Sequence, residues 1–153
     1  VLTYPENVFD KVIAVNLKSA FLLAQKAANH FKARGYHGKI INTASLFSTF
    51  GGVEVSGYTC SKGGVLALTR ALSNELAPYG ICVNALAPGY IQTELTRAIF
   101  SNPEKRRPMD ERIPIGRWGR PDDFEGVAVF LASQASDYIT GVMIPVDGGY
   151  TAR

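Results

Sequence analysis

The chain has 153 residues, enough for one domain, and its 46% hydrophobic and 19% charged residues are ordinary for a globular protein. A net charge of +3 is too small for a dedicated nucleic-acid binder, and no apolar run approaches the roughly 20 residues that span a bilayer. Cys60 and Cys82 are too few for a disulfide framework and lack metal-ligand spacing. We therefore expect a reduced, cytoplasmic protein that holds no metal and binds neither nucleic acid nor membrane.

The first half of the chain predicts a helix, a strand and a loop. Apolar residues recur at helical spacing over residues 6–34, and Gly35 ends this pattern. Residues 39–43 are a short apolar run that predicts a buried strand. The Gly, Ser and Thr residues that follow, over 45–56, predict a loop.

The second half continues this alternation. A long helix is predicted over residues 56–77, and residues 81–89 predict a strand that is apolar on both faces. Prolines and glycines break up residues 89–121, which we call the lid segment. A third helix is predicted over residues 121–133, with acidic residues in its first turn, and a last short strand over residues 141–149.

This order of elements predicts the fold class. Strands that are joined by crossover helices form a parallel sheet with helices on both faces, which makes the chain α/β. Three strands make a poor sheet by themselves, and an edge strand leaves backbone groups unpaired. The chain also starts without methionine, its two methionines being Met109 and Met143. We therefore expect a fragment whose N-terminal part is missing.

The sequence GYTCSKGG places Tyr58 and Lys62 four residues apart at the start of the second long helix. A free tyrosine hydroxyl titrates near pH 10 and is a poor acid or base at neutral pH. A lysine at i+4 lies on the same helix face, and its positive charge favours the phenolate, which suits Tyr58 to proton exchange with a substrate oxygen. An exposed pair without function would show the same spacing.

Two polar residues elsewhere are candidates to assist this pair. Ser45 follows the first strand, where parallel sheets expose catalytic groups, and its hydroxyl could hold the same substrate oxygen. Alternatively, Ser45 bonds its own backbone, as serines at strand ends commonly do. Asn16 lies in the apolar stripe of the first helix, where an amide needs a partner. It either holds a water molecule or orients Lys62, or it is a satisfied core asparagine.

The segment APGYIQTEL, residues 87–95, leads from the second strand into a turn. Backbone groups at Pro88 and Gly89 and the side chain of Thr93 could meet a cofactor there. A turn followed by a short helix, without any ligand, would have much the same sequence. These residues alone therefore leave both interpretations open.

Together, the segments AVNL, INTAS, YTCSK, APGYIQT and DGG resemble the short-chain dehydrogenase/reductase family. The resemblance covers essentially the whole chain. It implies a Rossmann-type, doubly wound parallel sheet. On this basis, residues 1–153 would be the C-terminal catalytic part of a single domain, comprising its last three strands and their helices.

The resemblance also implies roles for individual residues. Tyr58 is the expected acid/base, and Ser45 is expected to position the substrate oxygen. Lys62 is expected to promote ionisation of the tyrosine and to hold the nicotinamide ribose, and Asn16 to support a water-linked proton relay. The expected cofactor contacts are Tyr58, Lys62, Pro88, Gly89, Ile91 and Thr93.

The cofactor that the resemblance implies is NAD or NADP, without an indication of which. The family's glycine-rich nucleotide turn has no counterpart in the chain. We therefore expect the adenosine half of the cofactor site to be absent and the 153-residue chain by itself to be inactive.

Within the family, the segments RIPIGRWGRPDDFEGVAVFLAS, SDYITG and DGGYTAR resemble those of sugar-acid dehydrogenases, so the expected small-molecule substrate is a sugar acid or polyol. A cationic lid would suit a substrate carboxylate, although each basic residue could equally be solvated. The residues in question are Arg97, Lys105, Arg106, Arg107, Arg112, Arg117 and Arg120. We expect Trp118 to pack within the lid segment, and His30 and His37 to lie on the surface.

The alternative hypothesis is a catalytically incompetent protein of this type that acts only through association of its two long helices. In the family these helices usually form a dimer interface. The resemblance therefore also implies a homodimer or homotetramer for an active enzyme.

Overall fold

A computed structural model describes all residues from Val1 to Arg153. The main elements are α1 (Glu6–Ile13), α2 (Ser19–Arg34), β1 (Gly38–Thr43), α3 (Ser56–Leu76), β2 (Ile81–Pro88), α4 (Arg97–Phe100), α5 (Pro103–Asp110), α6 (Glu125–Ala132) and β3 (Met143–Val146). The predicted order of long helices and strands is thereby confirmed. None of the helices has the length and hydropathy of a membrane span.

The first predicted helix runs from Glu6 to Arg34 but changes its hydrogen-bonding pattern in the middle. A π-helical turn, Ala14–Lys18, joins α1 to α2 and contains Asn16. Such turns insert one residue into an α-helix and frequently occur at functional sites. Gly35 ends the helix in the left-handed conformation, at φ 66°.

The three strands form one parallel sheet in the order β1–β2–β3. Thr43 pairs with Leu86 near the end of β2, and Pro88 pairs with Val146 at the end of β3. The carboxyl ends of all three strands therefore lie at one edge of the sheet. The central strand β2 is buried along most of its length, as the continuous apolar run predicted.

Helices cover both faces of this sheet. Ile40 of β1 packs with Ala24 of α2 and Leu72 of α3 in one core cluster. Lys39 points to the opposite face because strand residues alternate, and it donates to the Ser136 hydroxyl just beyond α6 (3.3 Å). These three strands thus have the doubly wound arrangement, while β1 and β3 each keep one unpaired edge.

The lid segment contains two short helices, α4 and α5, within its irregular chain. Trp118, which belongs to this segment, is buried at 2% exposure. Its ring centroid lies 5.1 Å from that of Tyr90 and 5.3 Å from that of Phe100. The indole Nε1–H donates to one carboxylate oxygen of Asp110 (2.9 Å), and Arg106 pairs with the other (2.8 Å). The predicted packing role of Trp118 is confirmed.

Candidate active site

Tyr58 and Lys62 lie in the first two turns of α3, beside the carboxyl end of β1. The Lys62 ammonium donates to the carbonyl oxygen of Thr43, the last residue of β1 (2.7 Å), and lies 5.7 Å from the centroid of the Tyr58 ring. Burial lowers the pKa of Lys62. The lysine thus ties the helix to the strand, and an ammonium group bound in this way keeps two further N–H donors for a ligand.

The hydroxyl groups of Tyr58 and Ser45 donate to no group of the protein. Ser45 is buried, and its Oγ accepts a hydrogen bond from the backbone N–H of Phe47 (3.2 Å). The alternative in which Ser45 bonds its local backbone is therefore confirmed, but this bond uses an oxygen lone pair and leaves the hydroxyl proton free. The Phe47 ring packs edge-on against the Tyr58 ring, with centroids 6.2 Å apart, and so links the serine turn to the tyrosine.

Asn16 makes a different contact from the one expected. Its side-chain amide donates to the Ser61 hydroxyl (3.0 Å), which in turn donates to the carbonyl oxygen of Tyr58 (2.7 Å). Lys62 bonds Thr43 instead, so no direct hydrogen bond lets Asn16 orient the lysine. The interpretation of Asn16 as a satisfied amide between helices is supported, and its part in a water-linked relay stays a prediction.

Gly89 allows the ends of β2 and β3 to approach closely. A Cβ atom on Gly89 would lie 2.7 Å from the Cα and Cβ atoms of Asp147. The Asp147 carboxylate accepts hydrogen bonds from the backbone N–H groups of Gly149 and Thr151 (both 2.9 Å) and from the Thr151 hydroxyl (2.6 Å). Burial acts to raise the pKa of Asp147, but these hydrogen bonds outweigh it and leave the pKa lowered.

The turn after β2 presents Ile91 and Thr93. The backbone N–H of Ile91 takes no part in the bridge to Gly119 and donates to no group of the protein. Thr93 is exposed, with its hydroxyl 3.2 Å from that of Thr96. The short helix α4 follows, so the local backbone is that of the plain turn considered above, and it carries a free donor as well.

The residues present fit the nicotinamide half of a dinucleotide. Free donors occur on the Tyr58 hydroxyl, the Lys62 ammonium and the Ile91 N–H, all near the carboxyl ends of adjacent strands. Rossmann-type sheets bind nucleotides at this edge. A separate cavity of about 410 Å³ runs along the unpaired edge of β1, between residues 39–43 and α2, and Lys62 also lines it.

Acidic neighbours neutralise most basic residues of the lid segment. Ion pairs join Arg97 to Glu94, Arg106 to Asp110, Arg107 to Glu111 and Arg117 to Asp123. The hydrogen bond from Arg117 holds the pKa of Asp123 well below its usual range. Lys105, Arg112 and Arg120 have no Asp or Glu partner, and the Arg112 guanidinium donates to the main-chain oxygen of Arg153 (3.2 Å) and lies 4.4 Å from the Tyr150 ring centroid. The predicted cationic surface is thereby reduced to these three residues.

Sequence reasoning missed two serines of the site. Ser61 lies three residues after Tyr58, and this helical spacing was a signal that it could bond the tyrosine backbone. The Ser48 hydroxyl contacts the backbone of both Ser45 and Lys62, and nothing in the local sequence indicated it because Lys62 is 14 residues away. His30 and His37 are exposed, as predicted.

Comparisons with known proteins agree with the class of fold that the structure shows, a Rossmann-type parallel α/β sheet. Residues 1–151 match the family profile described as enoyl-(acyl carrier protein) reductase. The 2-dehydro-3-deoxy-D-gluconate 5-dehydrogenase of Escherichia coli is 49% identical over 152 residues, 99% of this chain and 60% of that protein.

Two solved structures have the same fold over almost the whole chain. A protein from Agrobacterium tumefaciens with bound NADP is 47% identical, with a TM-score of 0.97 over 99% of this chain and 62% of that one. The gluconate 5-dehydrogenase from Burkholderia cenocepacia, in complex with NADP and tartrate, is 41% identical, with a TM-score of 0.95 over 99% of this chain and 59% of that one.

The chain belongs to the short-chain dehydrogenase/reductase family. It spans about 60% of the length of the curated relatives that it matches. The expected resemblance to sugar-acid dehydrogenases is confirmed by the gluconate-type relatives.

Proposed function

We propose that the intact protein is an NAD(P)-dependent oxidoreductase that interconverts an alcohol and a carbonyl group of a sugar acid or polyol. One observation carries this proposal: the hydroxyl protons of Tyr58 and Ser45 have no protein acceptor, and the Lys62 ammonium is bound at the end of β1, 5.7 Å from the Tyr58 ring centroid. Such an arrangement suits proton exchange with a substrate oxygen.

Each residue of the site has a distinct role in this reaction. Tyr58 takes the proton of the substrate hydroxyl during oxidation and returns a proton to the carbonyl oxygen during reduction. Ser45 donates a hydrogen bond to the same oxygen. Lys62 stabilises the phenolate by its charge and binds the nicotinamide ribose. Asn16 supports a water-linked relay of the proton to solvent.

NAD or NADP would be held at its nicotinamide end by Lys62, the backbone N–H of Ile91 and Thr93, with Pro88 and Gly89 beside it. When bound, the nicotinamide ring supplies the hydride donor or acceptor. The NADP in the Agrobacterium and Burkholderia structures supports this cofactor.

The proposed substrate class follows from the relatives and from the charge of the lid segment. The Escherichia coli relative is named for a deoxygluconate, and the Burkholderia structure contains tartrate. Both compounds are carboxylates that carry hydroxyl groups. Lys105 and Arg120 are the cations of the lid segment left to attract such a carboxylate, since four others pair with Asp or Glu and Arg112 is bound to the Arg153 main chain.

We further propose that residues 1–153 are the C-terminal catalytic part of one Rossmann-type domain. The 60% coverage of the relatives and the unpaired edge of β1 beside the cavity support this arrangement. The adenosine half of the cofactor site would then lie in the rest of the domain, and the 153-residue chain alone would be inactive.

The substitution Tyr58→Phe in the intact protein tests the function. We expect turnover of a sugar-acid substrate to be lost, while NAD(P)H binding, measured by cofactor fluorescence, stays within about twofold. Tyr79→Phe is a matched control, because Tyr79 also has a lysine over its ring, Lys32 at 4.3 Å, but precedes the amino end of β2, at the opposite edge of the sheet from the site. Undiminished turnover by Tyr58→Phe would contradict the proposal.

Association through the long helices is a second candidate function, either within a homodimer or homotetramer of the enzyme or as the only role of the chain. Large apolar side chains are exposed along residues 6–34: Val8, Phe9, Val15, Phe21, Leu22 and Leu23. A Leu22→Lys variant, at a position outside the cavity along β1, should shift the mass measured by light scattering towards the monomer. An oligomer that forms without any turnover by the intact protein would favour the non-catalytic role.

A further inference from the structure

The hydroxyl group of Ser48 joins the backbones of Ser45 and Lys62, two residues of the proposed active site. The Ser48 hydroxyl accepts a hydrogen bond from the backbone N–H of Ser45 (3.1 Å) and donates one to the carbonyl oxygen of Lys62 (2.7 Å). The only proton of this hydroxyl is therefore used within the protein. Ser48 thus lacks a donor for a substrate and acts, if at all, through its neighbours.

The bond to Lys62 is not needed to form α3. Within a regular α-helix the carbonyl of residue 62 accepts from the N–H of residue 66, so the serine adds a second bond to an oxygen already in use. Its effect is to fix the position of the turn that follows β1. That turn, Leu46–Ser48, is a single 3₁₀ turn whose start is closed by reciprocal hydrogen bonds between Ser45 and Ser48.

The turn has other anchors that keep it folded. Leu46 is 3% exposed and packs in a cluster with Ile113, Trp118 and Tyr150. Without the Ser48 hydroxyl the turn therefore stays folded, but its position relative to α3 is no longer fixed. The Ser45 hydroxyl and the Tyr58 ring would then lose their fixed separation.

We propose that Ser48 is a positioning residue that sets the Ser45 hydroxyl relative to Tyr58, so that both groups reach one substrate oxygen. This inference rests on the proposed function, in which Ser45 and Tyr58 share that oxygen. Displacements of about 1 Å at a reacting centre cost up to about 100-fold in rate. Ser48→Ala should therefore lower kcat by roughly 10- to 100-fold and leave cofactor affinity within about twofold.

Kinetics of the intact protein test this inference with matched variants. Ser48→Thr retains the hydroxyl and should restore most of the activity that Ser48→Ala loses. Thr49→Val is the control, because the neighbouring Thr49 hydroxyl donates to the Leu46 carbonyl oxygen in the same turn (3.0 Å) and makes no hydrogen bond to α3. It should leave kcat unchanged.

A double variant separates positioning from general stability. If Ser48 acts through Ser45, adding Ser48→Ala to Ser45→Ala should cause no further loss of kcat. A full additional 10-fold loss, or wild-type kcat in Ser48→Ala alone, would overturn the inference. Full activity in both Tyr58→Phe and Ser45→Ala would instead overturn the proposed function and, with it, this role for Ser48.

Discussion

The side-chain amide of Asn16 donates to the hydroxyl of Ser61, 3.0 Å away and 45 residues further along the chain. Ser61 is fully buried, and its hydroxyl donates a hydrogen bond to the Tyr58 carbonyl oxygen (2.7 Å). One hydroxyl therefore joins the π-helical turn of the first long helix to the residue proposed as acid/base.

Ser61→Ala should destabilise the intact protein by about 1–2 kcal/mol, because it leaves the half-buried Asn16 amide without an acceptor. Urea unfolding measures this change. Cys60→Ala, at the exposed neighbouring position, should stay within about 0.5 kcal/mol of wild type. Equal effects of the two substitutions would show that the Asn16–Ser61 bond contributes nothing to stability.

Gly89→Ala should destabilise the protein by about 1–3 kcal/mol, since the new methyl group would lie 2.7 Å from the backbone of Asp147 and force two strand ends apart. Gly63 offers the opposite case within α3, because a Cβ atom there meets nothing within 4 Å. Gly63→Ala should therefore stabilise the helix by about 0.5–1 kcal/mol. Thermal unfolding of both variants distinguishes these signs.

Tyr90 should make stability depend on alkaline pH. Burial, with the nearby Tyr150, raises the pKa of Tyr90 to about 12. The folded protein therefore holds this proton more tightly than the unfolded chain, whose tyrosines titrate near pH 10. The resulting stability is complete below about pH 10 and is lost as the pH rises through about 12. Tyr90→Phe should flatten this dependence in unfolding experiments, whereas Tyr36→Phe, on an exposed ring, should not.

Asp147 should contribute in the opposite pH range. Its pKa is lowered in the folded state, so the carboxylate adds stability above about pH 4 that disappears as the pH falls through the lowered value. Asp147→Asn should therefore lose more stability relative to wild type at neutral pH than at about pH 3. The exposed Asp10→Asn serves as control. An identical deficit for Asp147→Asn at both pH values would contradict this assignment.

The spacing of apolar residues and the positions of helix-ending residues predicted most of the fold. The long helices, the parallel strands and their order along the chain followed from helical spacing, apolar runs and the helix-ending Gly35. The π-helical turn at Ala14–Lys18 could not be predicted, because a single inserted residue barely disturbs the apolar pattern. In the lid segment α4 was foreseen only as one of two open interpretations, and α5 was missed because prolines and glycines interrupt the helical pattern there.

The site was predicted in its residue types but not in its bonds. The Tyr58–Lys62 spacing correctly placed both groups together. The bond from Lys62 to Thr43 joins elements that only tertiary packing brings together, so no local pattern contains it. By contrast, the pairing of Arg106 with Asp110 is an i,i+4 contact that the sequence already contained.

Trp118 is a natural fluorescent probe of the lid segment, because it is anchored within that segment. The protein has a single tryptophan, enclosed by Tyr90 and Phe100 and fixed through its Nε1–H to Asp110. Indole emission from residues 1–153 therefore comes from the lid segment alone, and any opening that admits water shifts the spectrum to longer wavelengths. Motion of the lid segment can be followed by stopped-flow fluorescence without an attached dye.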